Sequence, residues 1–133
     1  MKHTVIVTKR IYEPPDAMDG LRVLADRLWP RGIAKKAAAI DAWLPEIAPT
    51  GALRSWFGHD PQRYEEFRER YLDELRTRAQ ARSAIAQLAV MAPAGARITL
   101  LYAAREESQN NATVLREHLS ALQNGASWVP GEL

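Results

Sequence analysis

The feature that most constrains the fold is the stretch at residues 97–103, Arg-Ile-Thr-Leu-Leu-Tyr-Ala, which is apolar at nearly every position. A strand with one face in solvent alternates apolar and polar residues, whereas an unbroken apolar run is typical of a strand that is covered on both faces. Parallel sheets with helices on each side provide that cover. The stretch therefore predicts a central strand of a mainly parallel sheet.

Two further strands are predicted nearer the N-terminus. Residues 4–10 contain the β-branched run Thr-Val-Ile-Val-Thr, and residues 21–25 are short and mostly apolar. The segment between them holds two prolines, two aspartates and a glycine, which favour a surface loop. Pro30 and Gly32 then terminate the second strand region.

Helices are expected over much of the remaining chain. Residues 34–48 are rich in alanine and predict one or two short helical turns, interrupted by Pro45. A short helix is expected to begin at the capping residue Thr50 and to end near Gly58. Asp60 followed by proline then predicts the start of a long helix.

The C-terminal half adds two more helical patterns and a tail. Apolar residues recur at helical spacing in residues 81–91 and 112–122, and residues 124–133 have the pattern of a loose tail. We therefore predict one small three-layer α/β domain, residues 1–123, with a mainly parallel sheet of three or four strands flanked by helices, followed by a C-terminal tail, 124–133.

Composition excludes several kinds of chemistry. The chain has 133 residues and no cysteine, which excludes thiol nucleophiles, disulfides and cysteine zinc sites. Its three histidines lack metal-ligand spacing, and no glycine-rich phosphate loop occurs, so we expect no metal and no cofactor. The N-terminus lacks a signal-peptide pattern, and the apolar runs are far shorter than the roughly 20 residues of a membrane span. We expect a cytoplasmic protein without a membrane partner.

The charge is unevenly distributed along the chain. Eighteen Lys and Arg residues against 16 Asp and Glu give a formal net charge of +2, too small by itself to indicate nucleic-acid binding. Residues 1–36, however, carry eight cationic and four acidic side chains, a local excess of +4. This excess keeps nucleic-acid binding open as an alternative function.

Candidate functional residues follow the second and third predicted strands. Ligands of parallel α/β sheets bind beyond the carboxyl ends of the strands, so these two segments should line one crevice. Arginines fork onto carboxylates or phosphates, aromatic rings can stack on a ligand, and a partly buried aspartate can act as a general base. The candidate catalytic residue is Asp26, and the candidate ligand-binding residues are Arg27, Trp29, Arg31, Tyr102, Arg105, Asn110 and Asn111.

Structural interpretations compete with each of these roles. Arg27 or Arg31 could instead pair with a nearby carboxylate such as Asp26, Glu106 or Glu107, and residue spacing does not decide between the two. His59 is better interpreted as part of a turn that leads to the next helix. Exposed Trp56 and Phe57 would favour a protein-interaction module without catalysis.

Several sequence blocks resemble the YeaO-like proteins, a branch of domain-of-unknown-function family 488. The similarity covers about residues 5–120, and its blocks lie at 9–15, 19–32, 41–44, 48–49, 53–61, 100–105 and 110–112. It implies a small bacterial or archaeal cytoplasmic protein without an established reaction. Longer relatives carry cysteines after the later strand and an Asp-Val-Arg strand end like that of sulfurtransferases and phosphatases. Because this chain has no cysteine, such a mechanism cannot be carried over.

The function favoured by these observations is binding of a small anionic or phosphorylated ligand, with a nucleotide among the candidates. The ligand would lie in the crevice at the strand ends. Whether a reaction follows is left open by the sequence. The alternative is a nucleic-acid-binding or protein-interaction module without catalysis.

Overall fold

The computed structural model describes residues 3–131. Four parallel strands form one sheet in the order β1-β4-β2-β3, which confirms the predicted α/β class and the mainly parallel sheet. β4 lies between β1 and β2, and all five of its residues are buried, as its apolar run predicts. The strand bounds are β1 Ile6–Arg10, β2 Leu21–Leu24, β3 Ala42–Trp43 and β4 Ile98–Tyr102.

The hydrogen bonds at the helix ends confirm the predicted cap Thr50 and show a second cap at Asn110. The Thr50 hydroxyl accepts a hydrogen bond from the Leu53 amide, and Asn110 Oδ1 accepts one from the Thr113 amide. Short 3-10 turns occur at Ala17–Asp19, Pro45–Ile47 and Pro61–Arg63. The helix bounds are α1 Lys35–Ala38, α2 Gly51–Phe57, α3 Tyr64–Thr77, α4 Ala79–Met91 and α5 Asn111–Asn124.

The segment 34–48 differs from its prediction as helical turns alone. It contains α1 and the following 3-10 turn, but also the two-residue edge strand β3. The main-chain amide of Asp41 donates to the Arg22 carbonyl, and the Asp41 carboxylate accepts from the Arg22 amide, both at 2.8 Å. These two bonds hold the segment against β2, a tertiary effect that local spacing does not encode.

The two faces of the sheet are covered unequally. Helices α2 to α5 pack on the face that presents Val23, Ile98 and Leu100, and this forms the large core. The opposite face presents Leu24 and Leu101, which Ile11 and the segment 26–40, with its short helix α1, cover. The third layer is therefore thin. Because β2 and β4 are the two inner strands, their carboxyl ends lie side by side next to that segment.

The segment after α5 is packed rather than loose as far as the structure describes it. Trp128 is only 4% exposed, and its indole nitrogen donates to the Ile85 carbonyl at 2.8 Å. The Gly131 amide donates to the Ala89 carbonyl, also at 2.8 Å. The buried indole stabilises the packing of this segment on α4, because its large apolar surface is buried and its N–H group has a hydrogen-bond partner. Residues 132–133 of the predicted tail lie outside the described residues.

Candidate functional site

A cavity of about 530 Å³ opens at the carboxyl ends of β2 and β4. Asp26, just after β2, lines it together with Ala103 and Ala104 after β4 and Asn111 at the start of α5. The end of α2 and the following turn form another wall, which includes Arg54, Ser55, Phe57, Gly58 and His59. This is the location that the general rule for open parallel sheets predicts.

Asp26 connects three elements at this cavity. Its Oδ2 accepts a hydrogen bond from the Ala103 amide at 2.9 Å, and its Oδ1 accepts one from Asn111 Nδ2 at 3.0 Å. The same Asn111 nitrogen donates to the Ala25 carbonyl at 2.9 Å. These bonds tie the end of β2 to the end of β4 and to α5. A carboxylate has about four lone-pair sites, so Asp26 keeps acceptor capacity after both bonds are made.

The environment of Asp26 also changes its acidity. Burial raises the pKa of Asp26 above its ordinary value of 3.8, because a buried carboxylate loses hydration. Hydrogen bonds from Asn111 and Ala103, and the charges of Arg54 and His59, lower the pKa without cancelling the effect of burial. The charged form of Asp26 would therefore gain from a further hydrogen-bond donor in the cavity.

The arginines near the strand ends fall into two groups. Arg27 donates from Nε to the Pro49 carbonyl at 2.9 Å and from Nη1 to Glu46 at 3.3 Å, so its side chain anchors a neighbouring loop. Arg31 and Arg54 are exposed and line the cavity, and in residues 3–131 neither side chain takes part in an ion pair. Arg27 therefore has the structural role that competed with ligand binding, but it pairs with Glu46 and not with the carboxylates expected from the sequence.

Aromatic side chains form much of the cavity wall. The indole nitrogen of Trp29 donates to the Ile33 carbonyl at 2.8 Å, and its ring meets Trp43 edge-on with centroids 5.5 Å apart. Phe57 and Phe67, which also line the cavity, stack at a centroid distance of 4.2 Å. Phe57 and Phe67 are 6% and 2% exposed, so they support the lining from behind, whereas the half-buried Trp29 is open to the cavity.

Three of the predicted site residues have other positions or roles. Tyr102 is 2% exposed and does not line the cavity, because strand alternation directs it with Leu100 into the large core. Arg105 lies in an exposed loop, also away from the cavity lining. Asn110 does line the cavity, but its amide caps α5 and donates to the Glu106 carbonyl, so its side chain has a structural role.

Sequence reasoning missed Arg54, Ser55 and the position of His59. His59 follows Gly58 in the turn after α2, and both adopt the left-handed conformation, with φ of +57° and +53°. A non-glycine residue in this region is uncommon and strained. The Gly-His-Asp-Pro sequence predicted a turn, but nothing local indicated that the turn borders the strand ends. Arg54 lies one helical turn before Gly58 and faces the same cavity.

The described part of the chain contains neither a metal-binding cluster nor a membrane-spanning helix. Residues 3–131 bring together no group of three or more His, Asp or Glu side chains that could hold a metal ion. Within the same range, the helices are all too short or too polar to cross a membrane.

Comparison with known proteins identifies the family. The model of the family described as "Inactive DUF488-N3 subclade" matches residues 5–127. The uncharacterized protein YeaO of Escherichia coli is 44% identical over 117 residues, which cover 88% of this chain and 98% of YeaO. An uncharacterized protein of Mycobacterium tuberculosis is 36% identical over 120 residues, covering 90% and 98% of the two chains. No solved structure matches the chain. The chain therefore belongs to the inactive DUF488-N3 subclade, as a YeaO-like protein.

Proposed function

We propose that this protein binds a small anionic, phosphorylated ligand in the cavity at the carboxyl ends of β2 and β4. The observation that carries the proposal is the pair Arg31 and Arg54, which line the cavity and make no ion pair among residues 3–131. A guanidinium offers a planar set of donors that matches phosphate and carboxylate oxygens.

The size and lining of the cavity favour an organic ligand over a bare inorganic ion. A volume of about 530 Å³ lies in the range of small-molecule sites, roughly 300–1,000 Å³. Phosphate alone would fill a small part of this volume and leave Trp29 and the other apolar parts of the lining without a contact. A phosphorylated molecule with an apolar or aromatic body, of the size of a mononucleotide, uses both the arginines and these walls.

Binding without turnover is the simpler function for this site. The chain has no cysteine, and its family is described as inactive. Asp26 was the candidate general base, and the hydrogen bonds that its two oxygens accept hold it at the junction of β2, β4 and α5. We therefore assign Asp26 to binding and positioning rather than to proton transfer.

The nucleic-acid alternative depends on the positive N-terminal region, and much of that charge is already used within the fold. Lys9 and Arg22 contact Asp19, Arg27 contacts Glu46, and Arg10 donates to the Ala103 and Ala104 carbonyls. These internal contacts support a small ligand in preference to a polyanion that binds along a basic surface.

Thermal unfolding tests the proposal. Wild type is compared with Arg31→Gln and Arg54→Gln in the presence of inorganic phosphate, GMP and a short RNA, each at two salt concentrations. A ligand at about 100 times its Kd adds about 2.7 kcal/mol of stability, which moves the midpoint by several degrees. We expect GMP to stabilise the wild type with little salt dependence, and both substitutions to reduce the shift.

The matched control is Arg82→Gln, which removes an exposed arginine of α4 that does not line the cavity. This variant should respond to GMP as the wild type does. A shift produced by RNA alone and abolished by salt would contradict the proposal and favour the nucleic-acid alternative. A GMP shift that Arg31→Gln and Arg54→Gln leave intact would place the anion elsewhere.

A further inference from the structure

We infer that the ligand is bipolar, with an anionic group at Arg31 and Arg54 and a flat ring that presents paired N–H donors to Asp26. The guanine edge of GMP has this chemistry. The inference rests on the proposed function and deepens it by naming the ligand class.

The charges that line the cavity have opposite signs. Asp26, at the joined ends of β2 and β4, lines the same cavity as Arg31 and Arg54. A carboxylate repels a simple anion placed beside it, and the repulsion is stronger in a partly buried site than in water. The anionic group of the ligand is therefore directed to the arginines, and the part that meets Asp26 must donate hydrogen bonds.

Asp26 is held in a fixed position to accept such donors. Its two oxygens are oriented by the Ala103 amide and by the Asn111 side chain, on two different structural elements. Capacity for further bonds remains on both oxygens, and two parallel N–H donors can meet a carboxylate in a bidentate arrangement. The N1–H and the exocyclic amine of guanine form such a pair. Burial also leaves the charged form of Asp26 in need of further donors, since it raises the pKa of the carboxyl.

Trp29 offers an aromatic surface to the flat part of this ligand, since it is half-buried and lines the cavity. Its ring is held by a hydrogen bond to Ile33 and by an edge contact with Trp43. A ring that is already fixed loses little conformational entropy when a planar ligand packs on it.

Calorimetric titration of the wild type with three probes tests the inference. GMP has both the phosphate and the donor pair, purine riboside 5′-monophosphate lacks the donors, and guanosine lacks the phosphate. We expect GMP to bind about tenfold more tightly, or better, than purine riboside 5′-monophosphate, because one bidentate pair discriminates at that level. Guanosine should also bind more weakly than GMP, since it has no anion for the arginines.

Two substitutions test whether the ring of the ligand contacts Asp26 and whether its anionic group contacts Arg54. Asp26→Asn should reduce the preference for GMP over purine riboside 5′-monophosphate, whereas Arg54→Gln should weaken the binding of both. Circular dichroism checks that the Asp26 variant folds. If it does not, the comparison of probes on the wild type decides the question alone.

The outcomes separate the two proposals. Equal affinity of the wild type for GMP and purine riboside 5′-monophosphate overturns the bipolar ligand and leaves the anion site standing. Guanosine binding as tightly as GMP overturns the anion site. No binding of either phosphorylated probe overturns both.

Discussion

Two charged clusters lie at different places on the sheet, and they are built in opposite ways. In the buried cluster, the Asp19 carboxylate accepts hydrogen bonds from Lys9 at 3.1 Å, from Arg22 and from the Asp16 amide. The Arg22 side chain also donates to the Ala38 and Ala39 carbonyls. In the cavity cluster, Asp26 is bonded through Ala103 and Asn111 rather than through a cation, while the two arginines make no ion pair in the described chain.

The comparison shows that the charges of the buried cluster stabilise the fold, whereas the arginines of the cavity are available to a ligand. Charges in a low-dielectric environment are tolerated when the protein itself supplies their partners, as in the buried cluster. Arginines that line a cavity without such partners contribute little to stability, and they are free to bind an anion. Substitutions in the buried cluster should therefore lower the stability of the fold, whereas substitutions in the cavity cluster should weaken ligand binding and change stability little.

The largest effect is expected from Arg22→Ala. This change removes one cation of the buried cluster and leaves the Ala38 and Ala39 carbonyls without their donor, so we expect a loss of about 3 kcal/mol in the free energy of unfolding. Arg54→Ala, in the cavity cluster, should cost less than about 0.5 kcal/mol, because its side chain is exposed and unpaired. Urea denaturation measures both. Equal losses would contradict the contrast between the clusters.

The pH dependence of stability should differ in sign between the two aspartates. Burial acts to raise the pKa of Asp19, but hydrogen bonds from Asp16, Lys9 and Arg22 outweigh it and leave the pKa lowered. A lowered pKa stabilises the fold above the ordinary value of 3.8, and this stabilisation is lost as the pH falls through the folded-state pKa. The raised pKa of Asp26 stabilises the fold below 3.8, and its contribution is lost as the pH rises through the folded-state pKa.

Asparagine variants test this difference by urea denaturation across the acid range. Relative to wild type, Asp26→Asn should become more stable as the pH rises from below 3.8 towards neutrality. Asp19→Asn should become less stable over the same change. Parallel trends for the two variants would show that the clusters are not electrostatically distinct.

The smallest loss of stability is expected at His59, and this position sharpens the comparison because stability and binding should separate there. Glycine adopts a positive φ without strain, so His59→Gly should leave stability unchanged or raise it by up to about 1 kcal/mol. The same change removes the imidazole that lines the cavity and should weaken GMP binding. Thermal unfolding with and without GMP measures both effects, and a clear loss of stability would assign His59 a structural role.

The sequence predicted much of the fold because local signals and burial agree there. The apolar run in β4 and the cap Thr50 were recognised from residue types alone. β3 was not predicted, because two residues held by Asp41 carry no periodicity. The packing of Trp128 on α4 was missed for a related reason, since a single indole gives no pattern.

The part of the cavity lining that lies at the neighbouring ends of β2 and β4 was predicted from the sequence. Asp26, Arg31 and Asn111 line the cavity because β2 and β4 are neighbours in a parallel sheet. Arg54 and His59 could not be placed, because their position depends on how α2 packs across the large core. Tyr102 was misplaced because the alternation of β4 directs it into that core.

The most direct test of the central claim is to map GMP binding on the backbone amides by NMR. If the cavity is the ligand site, the shifts that change with GMP should cluster at Ser55, His59, Ala103, Ala104 and Asn111, around the joined ends of β2 and β4. The exposed Lys35 and Lys36 of α1 should be little affected. Changes centred on α1, or no changes at saturating GMP, would contradict the account.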